Sequence, residues 1–181
     1  MTIDSIVTVD LWMVLPLFLL GSLLHFTYDW SKHNAHVAIF SAVNESYWEH
    51  IKIAFWPVLF LAIVEFILGG YSHMSFLPAK TIALYSIPIS MTAFVFAYKH
   101  FSKKNILVLD IIAFLVAIAL AQIIGTQLLV QLDANIWTVA LSTLFLAILV
   151  VSFVLFTLKP PKEPDLFKDP ISSEYGVNAH R

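Results

Sequence analysis

The groups able to do chemistry in this chain are few and clustered. His25 and Asp29 stand four residues apart, the run VNESYWEH holds Asn44, Glu45, Ser46, Glu49 and His50, and Asp110 is alone in a later apolar stretch. The chain has no Cys, which removes disulfides, thiolate metal sites and Cys nucleophiles together. A donor set of imidazole nitrogens and carboxylate oxygens suits Zn²⁺, Mn²⁺ or Fe²⁺ better than Cu(I). A bound ion would lower the pKa of a water, and a nearby carboxylate would serve as base. On this view His25, His50, Glu45 and Asp110 are metal ligands, Glu49 or Asp29 is the base, and Asn44, Ser46 and Glu65 are further polar positions. No HExxH or Glu-x-x-His run is present, so the sequence does not identify a reaction.

Structural explanations compete with these roles. Ser46-Tyr47-Trp48-Glu49 fits the capping box, in which the Ser side chain bonds the N3 amide and the Glu reaches back to the N-cap amide. Tyr47 and Trp48 suit anchors at a membrane interface. His33 and His36 read as exposed loop residues. Glu65 lies far along its helix from Glu49 and, beside His73, suggests a small separate polar site. An ion-pair and hydrogen-bond network without a metal is the alternative for the whole cluster.

The elements that must position these groups are membrane helices. The 181 residues are 60% hydrophobic and 12% charged, with mean hydropathy +0.86, where an ordinary soluble domain carries about 25% charged residues. A spanning helix needs roughly 17 to 25 apolar residues. Five segments qualify, approximately 11–28, 51–70, 81–98, 106–129 and 137–158. The expectation is therefore an all-α, five-span integral membrane bundle over 1–158, followed by an extended tail over 159–181. The opening MTIDSIVTVD has no Lys or Arg, so the first apolar run lacks a signal-peptide n-region and reads as a retained helix. Pro16, Pro57 and Pro88 fall inside spans and favour kinks.

Cytoplasmic loops carry the excess of Lys and Arg. With five spans, nine of the ten basic residues (Lys32, Lys52, Lys99, Lys103, Lys104, Lys159, Lys162, Lys168 and Arg181) share one side, and Lys80 is on the other. This puts the N-terminus outside and the VNESYWEH loop and C-terminal tail in the cytoplasm of a cell with a multi-pass protein in its cytoplasmic membrane. A net charge of -2 argues against nucleic acid as a partner. The bilayer is the expected partner, with a homodimer and an unknown lipid or small-molecule ligand as further expectations.

In the fourth span Ala113, Ala117, Ala121 and Gly125 recur every four residues, a ridge that lets a neighbouring backbone approach. At about 100° per residue, Asp110 falls within about 20° of Ala117 and Ala121, so its charge should face the bundle. His25, Glu49 and Asp110 then share a depth to within about 8 Å along the membrane normal, at 1.5 Å rise per residue, and could meet at the cytoplasmic side.

HFTYDWS, VNESYWEHIK and the tail PPKEPDLFKDPISSEYGV resemble a family of small bacterial and archaeal membrane proteins classed as a domain of unknown function. The most specific part is the N-E-S-x-W-E-H-x-K run with the D-P…Y-G tail. The resemblance implies a multi-span topology and directs attention to these positions; it implies no activity. Three functions remain open. The first is a metal-assisted membrane enzyme acting on a lipid or amphipathic substrate, which needs a headgroup-sized polar pocket. The second is an ion or small-solute carrier, which needs a polar track toward Glu65. The third is a non-catalytic partner-binding protein, whose loop side chains should face solvent.

Overall fold

The computed structural model describes residues 1–102 and 106–177. Lys103, Lys104 and Arg181, which enter the charge count, lie outside the described residues. Among those described, seven α-helices succeed one another: α1 (Ile3–Trp12), α2 (Val14–Trp30), α3 (Ala35–Ala38), α4 (Tyr47–Ile67), α5 (Phe76–Ser102), α6 (Leu107–Gln131) and α7 (Ile136–Leu158). By length and composition α4, α5, α6 and α7 are each able to cross a membrane, and α1 with α2 makes a fifth crossing if that bent pair is one span. The most apolar helix is the most outward: the most apolar window of α7, mean hydropathy 2.8, is 11% buried, whereas that of α4, at 1.8, is 61% buried. Helices that show their most apolar faces outward suit a lipid solvent, which satisfies no backbone polar group and so leaves each helix to bond its own.

The first apolar run is not the single helix expected over 11–28. It breaks at Met13, and α1 and α2 meet at 52°. Pro16 supplies the reason, because it has no N–H to offer the Trp12 carbonyl one turn back. The bonds from the Met13 amide to Val9 O and from the Leu17 amide to Met13 O, both 2.8 Å, continue on either side of that gap. Pro57 and Pro88 lie within α4 and α5 without ending them.

The helices meet closely where small residues stand. Ala113, Ala117, Ala121 and Gly125 are all buried on α6, and a methyl at Gly125 would come within 3.2 Å of the Ala83 Cβ on α5. At Gly21 of α2 the approach is tighter: a Cβ there would lie 2.6 Å from the Ile53 carbonyl oxygen of α4 and 2.6 Å from the Phe114 ring of α6. Three helices thus cross at one point. His25 follows Gly21 by four residues, His50 precedes Ile53 by three, and Asp110 precedes Phe114 by four. One helical turn from the crossing, all three side chains are brought to the same end of the bundle.

A loop and the tail close that end. Ser41 Oγ accepts from the Tyr28 amide at 2.8 Å and donates to the Leu24 carbonyl, inserting between the two ends of one turn of α2. Lys52, fully buried, donates to the Ala38 carbonyl at 2.8 Å and to Thr157 Oγ1 at 3.0 Å, and pairs with Glu49 one turn back on α4. Glu49 Oε2 in turn accepts from the Val43 amide at 2.9 Å. As far as residue 177, the tail is folded back on the bundle and not extended. Phe167 is buried against Trp48 and Phe156, with ring centroids 5.0 and 5.5 Å apart, and Asn44 Nδ2 donates to Gly176 O at 3.0 Å. Composition over the tail is polar, but one well-placed Phe has an apolar seat to fill. Trp48 lines that seat, stacked on Phe153 at 4.7 Å and 8% exposed, so it is a core residue and not an interface anchor.

Two measurements check this packing. Gly21→Ala forces a methyl against backbone and should cost about 1 to 3 kcal/mol, read as a lower melting temperature in detergent; an unchanged melt would mean the three helices do not touch there. Lys52→Met leaves Glu49 buried and unpaired and should cost about 3 to 5 kcal/mol, with much of it regained in Glu49→Gln/Lys52→Met. Equal destabilisation by the single and double variants would show that the pair does not hold the loop.

Candidate functional site

Three side chains from three parts of the chain converge: His25 from α2, Glu45 from the loop and His50 from α4. His25 Nε2 lies 3.6 Å from Glu45 Oε1, and His50 Nε2 lies 3.8 Å from Glu45 Oε2. One ligand atom from each of the three lies within 4.8 Å of the others, and the imidazole centroids are 5.2 Å apart. The carboxylate thus presents one oxygen to each ring.

The loop chemistry explains why Glu45 alone points outward. Asn44 Oδ1 accepts from the Ser46 amide at 2.9 Å, a local side-chain turn typical of Asn, while its amide nitrogen anchors the tail at Gly176. Asn44 and Ser46 are consequently buried, at 5% and 1% exposed, whereas the Glu45 side chain between them is 43% exposed. Ser46 stands at the N-cap of α4, but its side chain makes no capping bond. The capping box does not form, because Glu49 is turned to Lys52 and the Val43 amide instead of back toward Ser46. The Ser46 carbonyl accepts from His50 Nδ1 at 2.9 Å. A carbonyl can only accept, so Nδ1 carries a proton, and Nε2 is the ring nitrogen turned toward Glu45. This is the arrangement by which a backbone carbonyl orients a metal-binding imidazole.

The cluster opens into a cavity of about 330 Å³ whose walls include Phe18, Phe26, Ile53, Phe114 and Asp110. A second cavity of about 420 Å³ shares Glu45, His50 and Asp110 and reaches Tyr47 and Ile171 of the tail. Asp110, half-buried, accepts a short hydrogen bond from the Tyr98 hydroxyl of α5. Lys99 Nζ lies 4.3 Å from the Tyr47 ring centroid, which puts a cation at the rim. A mostly apolar hollow with a few convergent polar groups is the usual form of a small-molecule site.

The remaining candidate residues lie elsewhere. Asp29 is exposed, with Nε2 of His33, just past the end of α2, 3.2 Å away. Glu49, 1% exposed, belongs to the Lys52 pair. Glu65 is at the opposite end of α4, where Lys80 Nζ lies 2.6 Å from its Oε2, and His73 bonds the Met1 carbonyl instead. Asp10, Lys80, Gln122 and Tyr98 were not singled out as site residues from the sequence. Their signal was simply that each is a polar residue in an apolar run, where polar side chains seek one another.

No curated protein and no solved structure matches the chain. Residues 1–177 match a family described as "Family of unknown function (DUF6512)". With all but the last four residues covered, the chain belongs to this family of unknown function.

Proposed function

We propose that this is a five-span membrane protein, with its N-terminus outside, that holds a divalent Zn, Mn or Fe ion on His25, Glu45 and His50 at the cytoplasmic side and acts there on a lipid or amphipathic substrate. The observation that carries this reading is the meeting of two imidazole nitrogens on one carboxylate. Around tetrahedral Zn²⁺, ligand atoms at 2.0 to 2.2 Å stand roughly 3.3 Å apart. The separations of 3.6 and 3.8 Å run to different oxygens of Glu45; one ligand atom from each of the three lies within 4.8 Å of the others, so the side chains would close by up to about 1.5 Å around an ion. Two His and one Glu leave a coordination position open, as catalytic zinc sites do.

The rest of the site fits a substrate with a polar head and an apolar body. Phe18, Phe26 and Phe114 offer one wall to acyl chains, and Asp110 is a carboxylate on the same cavity able to take a proton from a metal-bound water. The orientation rests on surface charge. Lys52 and Lys80 are buried in ion pairs, so the nine-to-one bias becomes eight to none among the remaining basic residues, three of which lie outside the described ones.

A carrier has less support, since beyond Lys52, which is taken up by Glu49, α4 buries Ile53, Ala54, Val58, Leu59 and Ala62 on the way to Glu65 and supplies no polar step over that stretch. The partner-binding alternative expects loop side chains in solvent, whereas Asn44, Ser46 and Glu49 are buried.

Elemental analysis of the detergent-purified protein, after equilibration with each metal, tests the proposal. One Zn, Mn or Fe per chain is expected. Glu45→Gln and His50→Ala should weaken binding by at least about tenfold while leaving the metal-free melting temperature near that of the parent. A parent protein that takes up none of the three removes the metal and the enzyme reading with it.

A further inference from the structure

The half of the bundle remote from His50 contains a second polar cluster, about 22 Å along α4 at 1.5 Å per residue. Asp10 of α1, Glu65 of α4, Lys80 of α5 and Gln122 of α6 are each 3% exposed or less. Lys80 Nζ donates to Asp10 Oδ1 and Oδ2 at 2.6 and 2.7 Å and lies 2.6 Å from Glu65 Oε2. Gln122 Nε2 donates to Asp10 O at 3.2 Å and to Oδ1 at 3.0 Å. Asp10 is therefore fully engaged. Neither oxygen of Glu65 has a hydrogen-bond partner, and Oε2 meets Lys80 only as an ion pair.

Charge does not balance in this cluster as ordinarily ionised. Two carboxylates face one ammonium, and the fourth member, Gln122, is neutral. The charged groups facing Glu65 are Lys80 from α5 and Asp10 from α1. An apolar bundle tolerates a paired charge and strongly disfavours an excess one. The missing unit of positive charge must come from a proton or from a second cation. A metal ion bound by both carboxylates would be forced close to the Lys80 ammonium, which already occupies the space between them. A proton meets no such repulsion, and as a carboxyl O–H it also provides the donor that the pair lacks.

We propose that Asp10 and Glu65 bind a single exchangeable proton beside Lys80, a site distinct from the His25–Glu45–His50 cluster and independent of any metal there. The proton resides on Glu65, because the three bonds Asp10 accepts from Lys80 and Gln122 favour its carboxylate form. With the proton in place the cluster is neutral and every charge has a partner. Without it, two carboxylates compete for one ammonium in a medium that cannot hydrate them.

The full-length protein in detergent provides the test, by infrared spectroscopy of its carboxyl groups and by thermal melting across pH. At neutral pH the parent should show a protonated carboxylic band that is absent from Glu65→Gln. Asp10→Asn should also lose it, since one carboxylate and one ammonium then balance and Glu65 ionises. The folded state holds a proton that the unfolded chain, with ordinary carboxyl groups, releases at neutral pH. Stability should thus fall as pH rises through the loss of that proton, so the parent's melting temperature drops in alkali while that of Glu65→Gln does not. The absence of the band in the parent overturns the proposal, as does its persistence in Asp10→Asn. A melting temperature that rises with Na⁺ at constant ionic strength in the parent and not in Glu65→Gln overturns it too, in favour of a bound metal cation. If Glu65→Gln fails to fold, Asp10→Asn decides by the same band.

Discussion

A single buried ammonium organises the end of the molecule where the candidate site lies. Lys52 is fully enclosed, and a charge so placed must be met by acceptors or it would not remain. Its acceptors come from three separate stretches: the Ala38 carbonyl of the loop, Glu49 on the same helix and Thr157 at the end of α7. Satisfying one side chain therefore fastens the loop to α4 and α4 to the last helix. Glu49 extends the constraint by accepting from the Val43 amide. Two residues later the chain reaches Glu45, whose placement opposite two imidazoles depends on this fastening.

The N-E-S-x-W-E-H-x-K run divides into two sets in this light. Asn44, Ser46, Trp48, Glu49 and Lys52 are buried and serve the scaffold: a local turn, a tail anchor, an aromatic seat and an ion pair. Glu45 and His50 face the cavity. Glu49 meets Lys52 and the Val43 amide through Oε2, is 1% exposed and does not line the cavity, and this is why Glu49, the more obvious acid by position, is the less suitable base. The tail joins the same assembly, because Asn44 holds Gly176 while Trp48 receives Phe167. The two most distinctive stretches of sequence, more than a hundred residues apart, thus form one structural unit.

The two polar clusters also illustrate how a bundle of helices apolar enough to cross a membrane accommodates charge. From Ile53 to Val64 α4 carries only apolar side chains, buried on one side and exposed at Phe60, Ile63 and Val64 on the other, and outward faces elsewhere are apolar as well. Ionisable side chains are then confined to places where the chain can offer them partners. At one end the partners are loop and tail groups, which include exposed ones and leave an accessible cavity. At the other end Asp10, Glu65, Lys80 and Gln122 are enclosed by helices on all sides. The same chemistry of carboxylate and cation therefore yields an open site in one place and a sealed one in the other.

The sequence by itself determined the helices, since runs of about twenty apolar residues have no other stable form in lipid. The bounds of α4, α6 and α7 fall within four residues of the segments read from hydropathy. It also determined that Asp110 should face its neighbours, because the four-residue recurrence of Ala113, Ala117, Ala121 and Gly125 defines one face of a helix. Only the tertiary structure decided which acids belong together. Helical periodicity gives Glu49 a direction but does not reveal that Lys52 and Val43 claim it, and an aperiodic loop gives Glu45 no direction at all. Asp10 and Lys80 are seventy residues apart, and no local pattern relates them. Their pairing follows from the packing of α1 against α6 and the start of α5, where Ile6 is buried with Phe76, Ala79 and Leu129.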